Sequence, residues 1–128
     1  MAAADSERKF QRELNAGATS LVLLAVLREE GRAMYGYELA KRLDAADGGV
    51  PVRLGTLYPV LRSLERQGLL DSRLVPSAAG PARKYYRLTR AGRSSLVRWT
   101  AIWERTRDLV DGTLDGEHSD GAQGRLSS

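Results

Sequence analysis

The segment Gly55-Thr-Leu-Tyr-Pro-Val-Leu-Arg-Ser-Leu-Glu-Arg-Gln-Gly-Leu-Leu70 carries the clearest structural signal in this chain. Its leucines at positions 57, 61 and 64 recur at intervals of four and three residues, the spacing of one buried helical face. Pro59 lies early in the helix, close to the first N–H groups, which have no partner within the helix, and Gly68 closes the helix. The spacing therefore predicts a helix over 55–67, and its polar face carries Thr56, Tyr58, Arg62, Ser63 and Arg66.

Two further helices are predicted upstream of this segment. Residues 16–30 are apolar almost all round at their centre, which is typical of a helix buried on more than one side. Gly17 or Thr19 is expected to cap the start of this helix, and Gly31 its end. Residues 35–46 place their leucines on one face and predict the second helix.

A β-hairpin and a long helix are predicted downstream. Apolar and polar residues alternate in 70–74 and again in 83–88, as they do in half-buried strands. Turn-forming residues around 76–81 predict a connecting loop of about five or six residues. Thr89 is positioned to cap a last helix over about 90–111.

This order of elements predicts a mainly α, α+β fold: a winged helix-turn-helix with a long C-terminal dimerisation helix. In such a fold the third helix enters the major groove of DNA, and the hairpin, or wing, lies against the backbone. The predicted organisation is an N-terminal arm (1–15), the winged helix-turn-helix DNA-binding domain (16–88), the dimerisation helix (89–112) and a disordered tail (113–128).

The positive charge of the chain is concentrated in its middle. The net charge is +4, yet residues 31–90 hold eleven basic and five acidic groups, net +6, and each flanking part is net −1. Concentrated cations favour a polyanionic partner because each phosphate contact releases condensed counterions. A solvated surface with an ordinary basic bias explains the same pattern, so the charge alone leaves both interpretations open.

Nine residues are predicted to contact double-stranded DNA because they lie on or just before the third helix, on the second helix, or at the wing. They are Tyr37, Lys41, Arg53, Thr56, Tyr58, Arg62, Arg66, Arg83 and Lys84. Structural interpretations stay open for several of them. Arg62 and Arg66 flank Glu65 and can be solvated helix charges, and Tyr58 can pack at the edge of the core.

Composition argues against an enzyme, a metal site and a bound cofactor. The chain has no cysteine and one histidine, His118, in a segment rich in Gly, Ser and Asp, which leaves no thiolate or histidine constellation. The longest apolar run, 21–27, is far shorter than a membrane span, and the first residues lack the regions of a secretory signal. We therefore expect a cytoplasmic protein without membrane contact.

The last helix carries an apolar seam. Its members follow one another at intervals of three, four, three and four residues, a heptad pattern about two repeats long. They are Leu96, Trp99, Trp103, Thr106 and Val110. Two tryptophans on one seam would be exposed in a monomer, so the seam predicts a homodimer interface. These tryptophans either only pack the interface or also stack on a flat small-molecule effector.

Three stretches taken together resemble the PadR family of bacterial transcriptional regulators. They are the segment quoted above, 35–43 (Tyr-Gly-Tyr-Glu-Leu-Ala-Lys-Arg-Leu) and 80–92 (Gly-Pro-Ala-Arg-Lys-Tyr-Tyr-Arg-Leu-Thr-Arg-Ala-Gly). The resemblance covers about 14–111 and implies a winged helix-turn-helix, a homodimer on a palindromic operator and, usually, repression. In some similar proteins aromatic side chains of the last helix line a cavity between subunits and bind planar ligands; Trp99 and Trp103 match that role.

The chain departs from the family pattern at two places. Tyr35 stands where the family often has histidine. Arg53-Leu54 stand where a small polar residue and proline commonly cap the third helix, so an arginine here can add a contact that the family pattern lacks.

The residues and the resemblance together predict a sequence-specific DNA-binding transcriptional regulator. We expect a homodimeric repressor on a palindromic operator, modulated by a small planar ligand at the dimer interface. The alternative is a winged-helix protein-interaction module that does not bind DNA, because the fold alone permits it. The basic middle of the chain and the polar face of the third helix favour DNA binding.

Overall fold

The computed structural model describes residues 2–44 and 54–118. These residues form four helices and one antiparallel sheet of three strands, so the predicted α+β class is confirmed. In chain order the elements are α1 (Ala2–Glu30), β1 (Met34–Tyr35), α2 (Gly36–Asp44), α3 (Leu54–Arg66), β2 (Leu70–Ser77), β3 (Gly80–Leu88) and α4 (Arg90–His118). The chain up to Leu96 forms one compact unit, and the part from Val97 onward forms a second.

Leucine side chains build the core of the first unit. Leu57 and Leu61 of α3 are fully buried, as are Leu23 and Leu24 of α1. Fully burying one such side chain stabilises a fold by about 1.5–3 kcal/mol, so this cluster fixes how α3 lies on α1. The predicted apolar face of α3 is therefore the face that packs inward.

The sheet has the strand order β1-β3-β2 and two distinct faces. Tyr86 pairs with Met34 of β1 and Ser72 of β2, and this row faces the core, where Tyr86 and Met34 are buried. The next row, Tyr35, Tyr85 and Arg73, lies on the opposite face because successive side chains of a strand alternate.

The hairpin is tighter than the sequence predicts. Strands β2 and β3 continue to Ser77 and from Gly80, so only Ala78 and Ala79 form the turn, and the expected loop of five or six residues is wrong. The prediction was wrong because two prolines were assigned to the loop. Pro76 lies on the edge strand at a register irregularity, and Pro81 at the start of β3, which are two places where a strand tolerates a missing N–H.

Both long helices extend beyond the predicted bounds. The helix expected from residue 16 begins at Ala2, and Gly17 and Thr19 lie inside it rather than at a cap. Side-chain pairs one turn apart, such as Lys9 with Glu13 at 3.5 Å, stabilise this added segment. At the other end α4 continues to His118, so 113–118 are helical where a disordered tail was predicted.

Several predictions concern residues that the structure does not describe. The second helix ends at Asp44 within the described residues, and the loop predicted around 47–51 lies outside them. The remainder of the predicted tail, 119–128, also lies outside the described residues.

Strand β1, in contrast, lies within the described residues. It has two residues and was not predicted at all.

The end of α3 and the start of α4 are joined by a compact set of backbone contacts. Gly68 adopts a left-handed conformation (φ 78°) that ends α3, and Leu69 N–H donates to the Leu64 carbonyl at 3.0 Å. The Thr89 hydroxyl donates to the Gly68 carbonyl at 2.8 Å and accepts from Gly92 N–H at 2.9 Å. The predicted cap at Thr89 is thus confirmed, and it links two helices.

Gly92 lies against this joint with no room for a side chain. A Cβ atom at residue 92 would lie 2.2 Å from the Leu69 carbonyl oxygen and 2.6 Å from Leu88 Cδ1. Such contacts are far below van der Waals distance, so α4 or the α3–β2 connection would have to move. Glycine at this position is therefore a packing requirement.

We predict that Gly92→Ala lowers the free energy of unfolding by about 1–3 kcal/mol through this clash. Gly112→Ala is the matched control, because it changes the same residue type in the same helix where a Cβ meets open space. The control should be neutral or stabilise by up to about 1 kcal/mol through helix propensity. Urea unfolding at one fixed protein concentration measures both variants, and equal effects would refute the packing argument.

Candidate DNA-binding surface

The outer face of α3 presents the polar residues that the sequence singled out. Thr56, Tyr58, Arg62 and Arg66 are all exposed, whereas the leucines of the opposite face are buried. Among the described residues no carboxylate pairs with Arg62 or Arg66, although Glu65 stands between them in sequence. Both guanidinium groups are therefore available for an external anion.

Tyr58 combines a packing role with an exposed edge. A Cβ atom on Gly36 would lie 2.5 Å from Tyr58 Cε1 and 2.9 Å from its hydroxyl oxygen, so the ring lies directly on the first residue of α2. The side chain nevertheless remains 37% exposed. Tyr58 therefore fixes the contact between α2 and α3 and still presents part of its ring on the outer face.

The carboxylate of Glu65 joins α3 to the wing. Lys84 Nζ of β3 lies 3.1 Å from Glu65 Oε1, and the Ser72 hydroxyl of β2 donates a hydrogen bond to Glu65 Oε2. The Ser72 hydrogen bond first, and then Lys84, hold the pKa of Glu65 below its ordinary value. The same contact raises the pKa of Lys84. Lys84 thus stays charged but is engaged within the chain.

Three further candidates, Tyr37, Lys41 and Arg83, meet around Tyr35. The Tyr35 ring stacks on Tyr37 with centroids 6.4 Å apart and planes 23° apart. Lys41 Nζ lies 5.5 Å from the Tyr37 centroid, and Arg83 Cζ lies 4.6 Å from the Tyr35 centroid. The structure therefore brings a helix α2 cation and a wing cation to one cluster of rings.

The sequence did not place Tyr35 among the site residues. Its position depends on β1, whose two residues are too few to show a strand pattern. The pairing of Tyr35 with Tyr85, about fifty residues later, fixes the ring on the outer face of the sheet. Arg53, in contrast, was predicted and lies outside the described residues.

The outer face of the sheet also holds an open depression of about 320 Å³ beside Tyr85. Arg87 pairs there with Asp71 at 2.7 Å, whereas no described carboxylate pairs with Arg73. The depression is lined by Ala33, Asp71, Ser72, Arg73, Tyr85 and Arg87. It therefore places one further cation, Arg73, on the outer face of the wing.

Most of the seam residues of α4 are exposed in the single chain. Trp103 is 43% exposed and Val110 48%, Thr106 is exposed, and Trp99 is half-buried. Leu96 differs because it is 1% exposed and belongs to the core of the first unit. Leu114 continues the stripe one turn beyond Val110, so the exposed apolar stripe extends with the helix past the predicted end.

Two findings on other kinds of site concern the part of the chain that the structure describes. No three acidic or histidine side chains there come together as metal ligands. Across residues 2–44 and 54–118 no helix is long and apolar enough to cross a membrane.

The geometry above is that of a winged helix with an exposed polar third helix, and a family model identifies it. The model of the transcriptional regulator PadR-like family matches residues 23–98. The chain belongs to the PadR-like family. Members of this family are transcriptional regulators that bind DNA, typically as dimers, and they are not enzymes.

Solved structures and a curated relative agree with this assignment. A PadR family transcriptional regulator from Eggerthella lenta DSM 2243 is 39% identical with a TM-score of 0.75, over 89% of this chain and 96% of that chain. A PadR-like transcriptional regulator from Bacillus cereus strain ATCC 14579 is 28% identical with a TM-score of 0.66, over 81% and 98%. Transcriptional regulator Rv3488 of Mycobacterium tuberculosis is 43% identical over 67 residues, 50% of this chain and 60% of that protein.

We predict that Glu65→Gln destabilises the protein in a pH-dependent way. The folded pKa of Glu65 is lowered, so its stabilisation is present above the unfolded pKa and is lost as the pH falls through the folded pKa. At pH 7 the variant should lose about 1 kcal/mol of unfolding free energy, and the difference should shrink below about pH 4.

Urea unfolding across this pH range measures the effect. Glu13→Gln is the control, because the exposed Lys9–Glu13 pair on α1 should contribute less than about 0.5 kcal/mol. A Glu65→Gln deficit that is independent of pH would show that the side chain acts by packing rather than by charge.

Proposed function

We propose that this protein is a homodimeric, sequence-specific repressor that recognises a palindromic DNA operator. The observation that carries the proposal is the outer face of α3, where Thr56, Tyr58, Arg62 and Arg66 are exposed together. Membership of a family of DNA-binding regulators supports the same conclusion. A protein with this role acts in the cytoplasm, at the nucleoid.

The chemistry of this face suits the reading of base edges and the contacting of phosphates. A guanidinium group such as that of Arg62 can donate two hydrogen bonds to the O6 and N7 atoms of guanine. Thr56 near the start of α3 can donate to a base or to a phosphate. We infer that α3 supplies sequence recognition and that cations of α2 and the wing supply contacts with the backbone.

Dimerisation follows from the exposed apolar seam of α4. Trp103, Val110 and Leu114 expose large apolar surfaces along one side of the helix. Pairing with a second copy would bury them, and it would give two α3 helices for two half-sites roughly 34 Å apart, one turn of DNA. A palindromic operator is the DNA sequence that matches such two-fold symmetry.

A small planar ligand between the subunits completes the proposal. Trp99 and Trp103 are one helical turn apart, and a flat apolar or cationic molecule can stack on indole rings. A ligand would regulate DNA binding only if it binds the DNA-competent and DNA-incompetent dimers with different affinity. The chain holds two tryptophans, both on this seam, so tryptophan fluorescence, excited selectively over the five tyrosines, reports on this segment alone.

The experiment that tests the proposal is a gel-shift titration with DNA from upstream of the protein's own gene. An unrelated duplex of the same length serves as a control, and each titration is run at two salt concentrations. Tight, selective and salt-weakened binding supports a specific regulator. Equal, weak binding to both duplexes contradicts operator recognition and favours the protein-interaction module.

We predict that Arg62→Gln weakens operator binding by about 1–3 kcal/mol without changing the stability of the fold. Arg8→Gln is the charge-matched control, because Arg8 is exposed on α1, where no DNA contact is predicted, and pairs with Asp5. Fluorescence anisotropy with a labelled operator measures both variants. Tyr58→Phe is preferred to alanine because it removes the hydroxyl and keeps the ring on Gly36. Unchanged affinity in Arg62→Gln and Tyr58→Phe would refute the role of α3.

We predict that Trp103→Ala weakens the dimer by about 2 kcal/mol or more, roughly thirty-fold in Kd, because a buried tryptophan is a typical interface hot spot. Val97→Ala is the control. Val97 is 67% exposed and lies on a different side of α4 from the seam. Sedimentation velocity over a concentration series measures the dimer Kd, and equal small effects of both variants would exclude the seam as the interface.

A further inference from the structure

Tyr35 lies at the centre of a row of cation and ring contacts that spans three elements. The row consists of Lys41 and Tyr37 on α2, Tyr35 on β1, and Arg83 on β3; we call it the aromatic row. Tyr85 supports it from beside Tyr35, with ring centroids 5.3 Å apart. Lys41 and Arg83 are thereby attached to one continuous stack of rings.

Strand pairing and a side-chain hydrogen bond hold the backbone of Tyr35 in place. Tyr35 pairs with Tyr85 in the sheet, and its N–H donates to Glu38 Oε1 at 3.1 Å, which caps the start of α2. Arg32 lies 3.3 Å from the other oxygen of Glu38. The position of the Tyr35 ring is therefore set by strand pairing and by helix capping together.

The charges around the row leave two cations available. Glu38 is engaged by Arg32, and on the outer face of the sheet Asp71 is engaged by Arg87. Among the described residues no carboxylate pairs with Lys41 or Arg83; both instead lie over tyrosine rings. A ring attracts a cation and restricts a long side chain without neutralising its charge.

We propose that the aromatic row is a preorganised contact for the phosphodiester backbone of DNA, in which Tyr35 is the positioning residue for Arg83. This inference rests on the proposed function and assigns a role to Tyr35, which lies outside the residues predicted to touch DNA. A backbone is the partner that fits, because two fixed cations joined by rings carry charge complementarity without base-reading geometry. A side chain that is already ordered loses less entropy when it binds.

A double-mutant cycle on Tyr35 and Arg83 tests the proposal. The variants are Tyr35→Leu, Tyr35→Phe, Arg83→Gln and Tyr35→Leu with Arg83→Gln, each titrated on the operator and on an unrelated duplex at several salt concentrations. We expect Tyr35→Leu to weaken binding about two- to ten-fold on both duplexes, leaving their affinity ratio unchanged. Tyr35→Phe keeps the ring and should bind like the wild type.

The coupling between the two residues decides the proposal. In the Arg83→Gln background Tyr35→Leu should cost little more, since the cation that it positions is gone. Arg73→Gln is the matched control: Arg73 lies on the same face of the sheet, opposite Tyr85, and should show almost no coupling to Tyr35. Additive losses with Arg83, or equal coupling to Arg73, would overturn the positioning role.

Two further readouts separate the possible failures. A misfolded Tyr35→Leu protein would also have a disturbed α3. It would therefore show a lower urea midpoint and a lower ratio of operator affinity to unrelated-duplex affinity. In that case Tyr35→Phe decides: affinity equal to the wild type agrees with the proposal, and reduced affinity overturns it. If the wild type binds all duplexes equally, operator recognition fails, yet the cycle on the unrelated duplex still decides the aromatic row. If the wild type binds no DNA, both proposals are overturned.

Discussion

The burial of the α3 leucines is the constraint on which the rest of the candidate site depends. Leu57, Leu61 and Leu64 are almost completely excluded from water against the leucines of α1. A helix turns by about 100° for each residue, so a rotation that moved these side chains out by one position would expose them and bury a polar neighbour. The apolar contact therefore determines which residues of α3 face outward. The polar face is a consequence of the core.

The wing and the second helix are tied to α3 by contacts of different kinds. The carboxylate of Glu65 pairs with Lys84 and accepts a hydrogen bond from Ser72 on the inner face of the sheet. Tyr58 packs on Gly36 with no space between ring and backbone, an apolar link. Thr89 and Gly68 join the helix ends by hydrogen bonds. Because each link engages a different element, α3 is held in position from three sides.

Local patterns explain how much of this architecture the sequence predicts. The leucine spacing of α3 and the cap at Thr89 each depend on a few neighbouring residues, and both predictions are confirmed. The predicted alternation is confirmed in β3, where Tyr86 and Leu88 are buried, whereas Leu74 of β2 is exposed. Strand β1 was missed because it exists only through pairing with residues about fifty positions later. The hairpin turn was placed wrongly because Pro76 and Pro81 were taken as loop residues. Pro76 instead fits on the edge strand β2, and Pro81 fits near the start of β3.

The site shows the same division between local and distant information. The exposure of Arg62 and Arg66 follows from helical periodicity, so the sequence places both residues on the outer face. That Lys84 is engaged by Glu65 depends on the register of the sheet against α3, which no local pattern contains. The role of Tyr35 depends on residues from three elements and is visible only once they are assembled.

The contact between Tyr58 and Gly36 has a consequence for evolution. Any side chain at position 36 needs the space that the Tyr58 ring now fills, so the two positions share one volume. Related chains with a larger residue at position 36 should carry a smaller one at position 58, and the two positions should change together. Position 58 lies on the outer face of α3. A substitution at position 36 in α2 would therefore alter the outer face of α3 through residue 58, although residue 36 itself is not on that face.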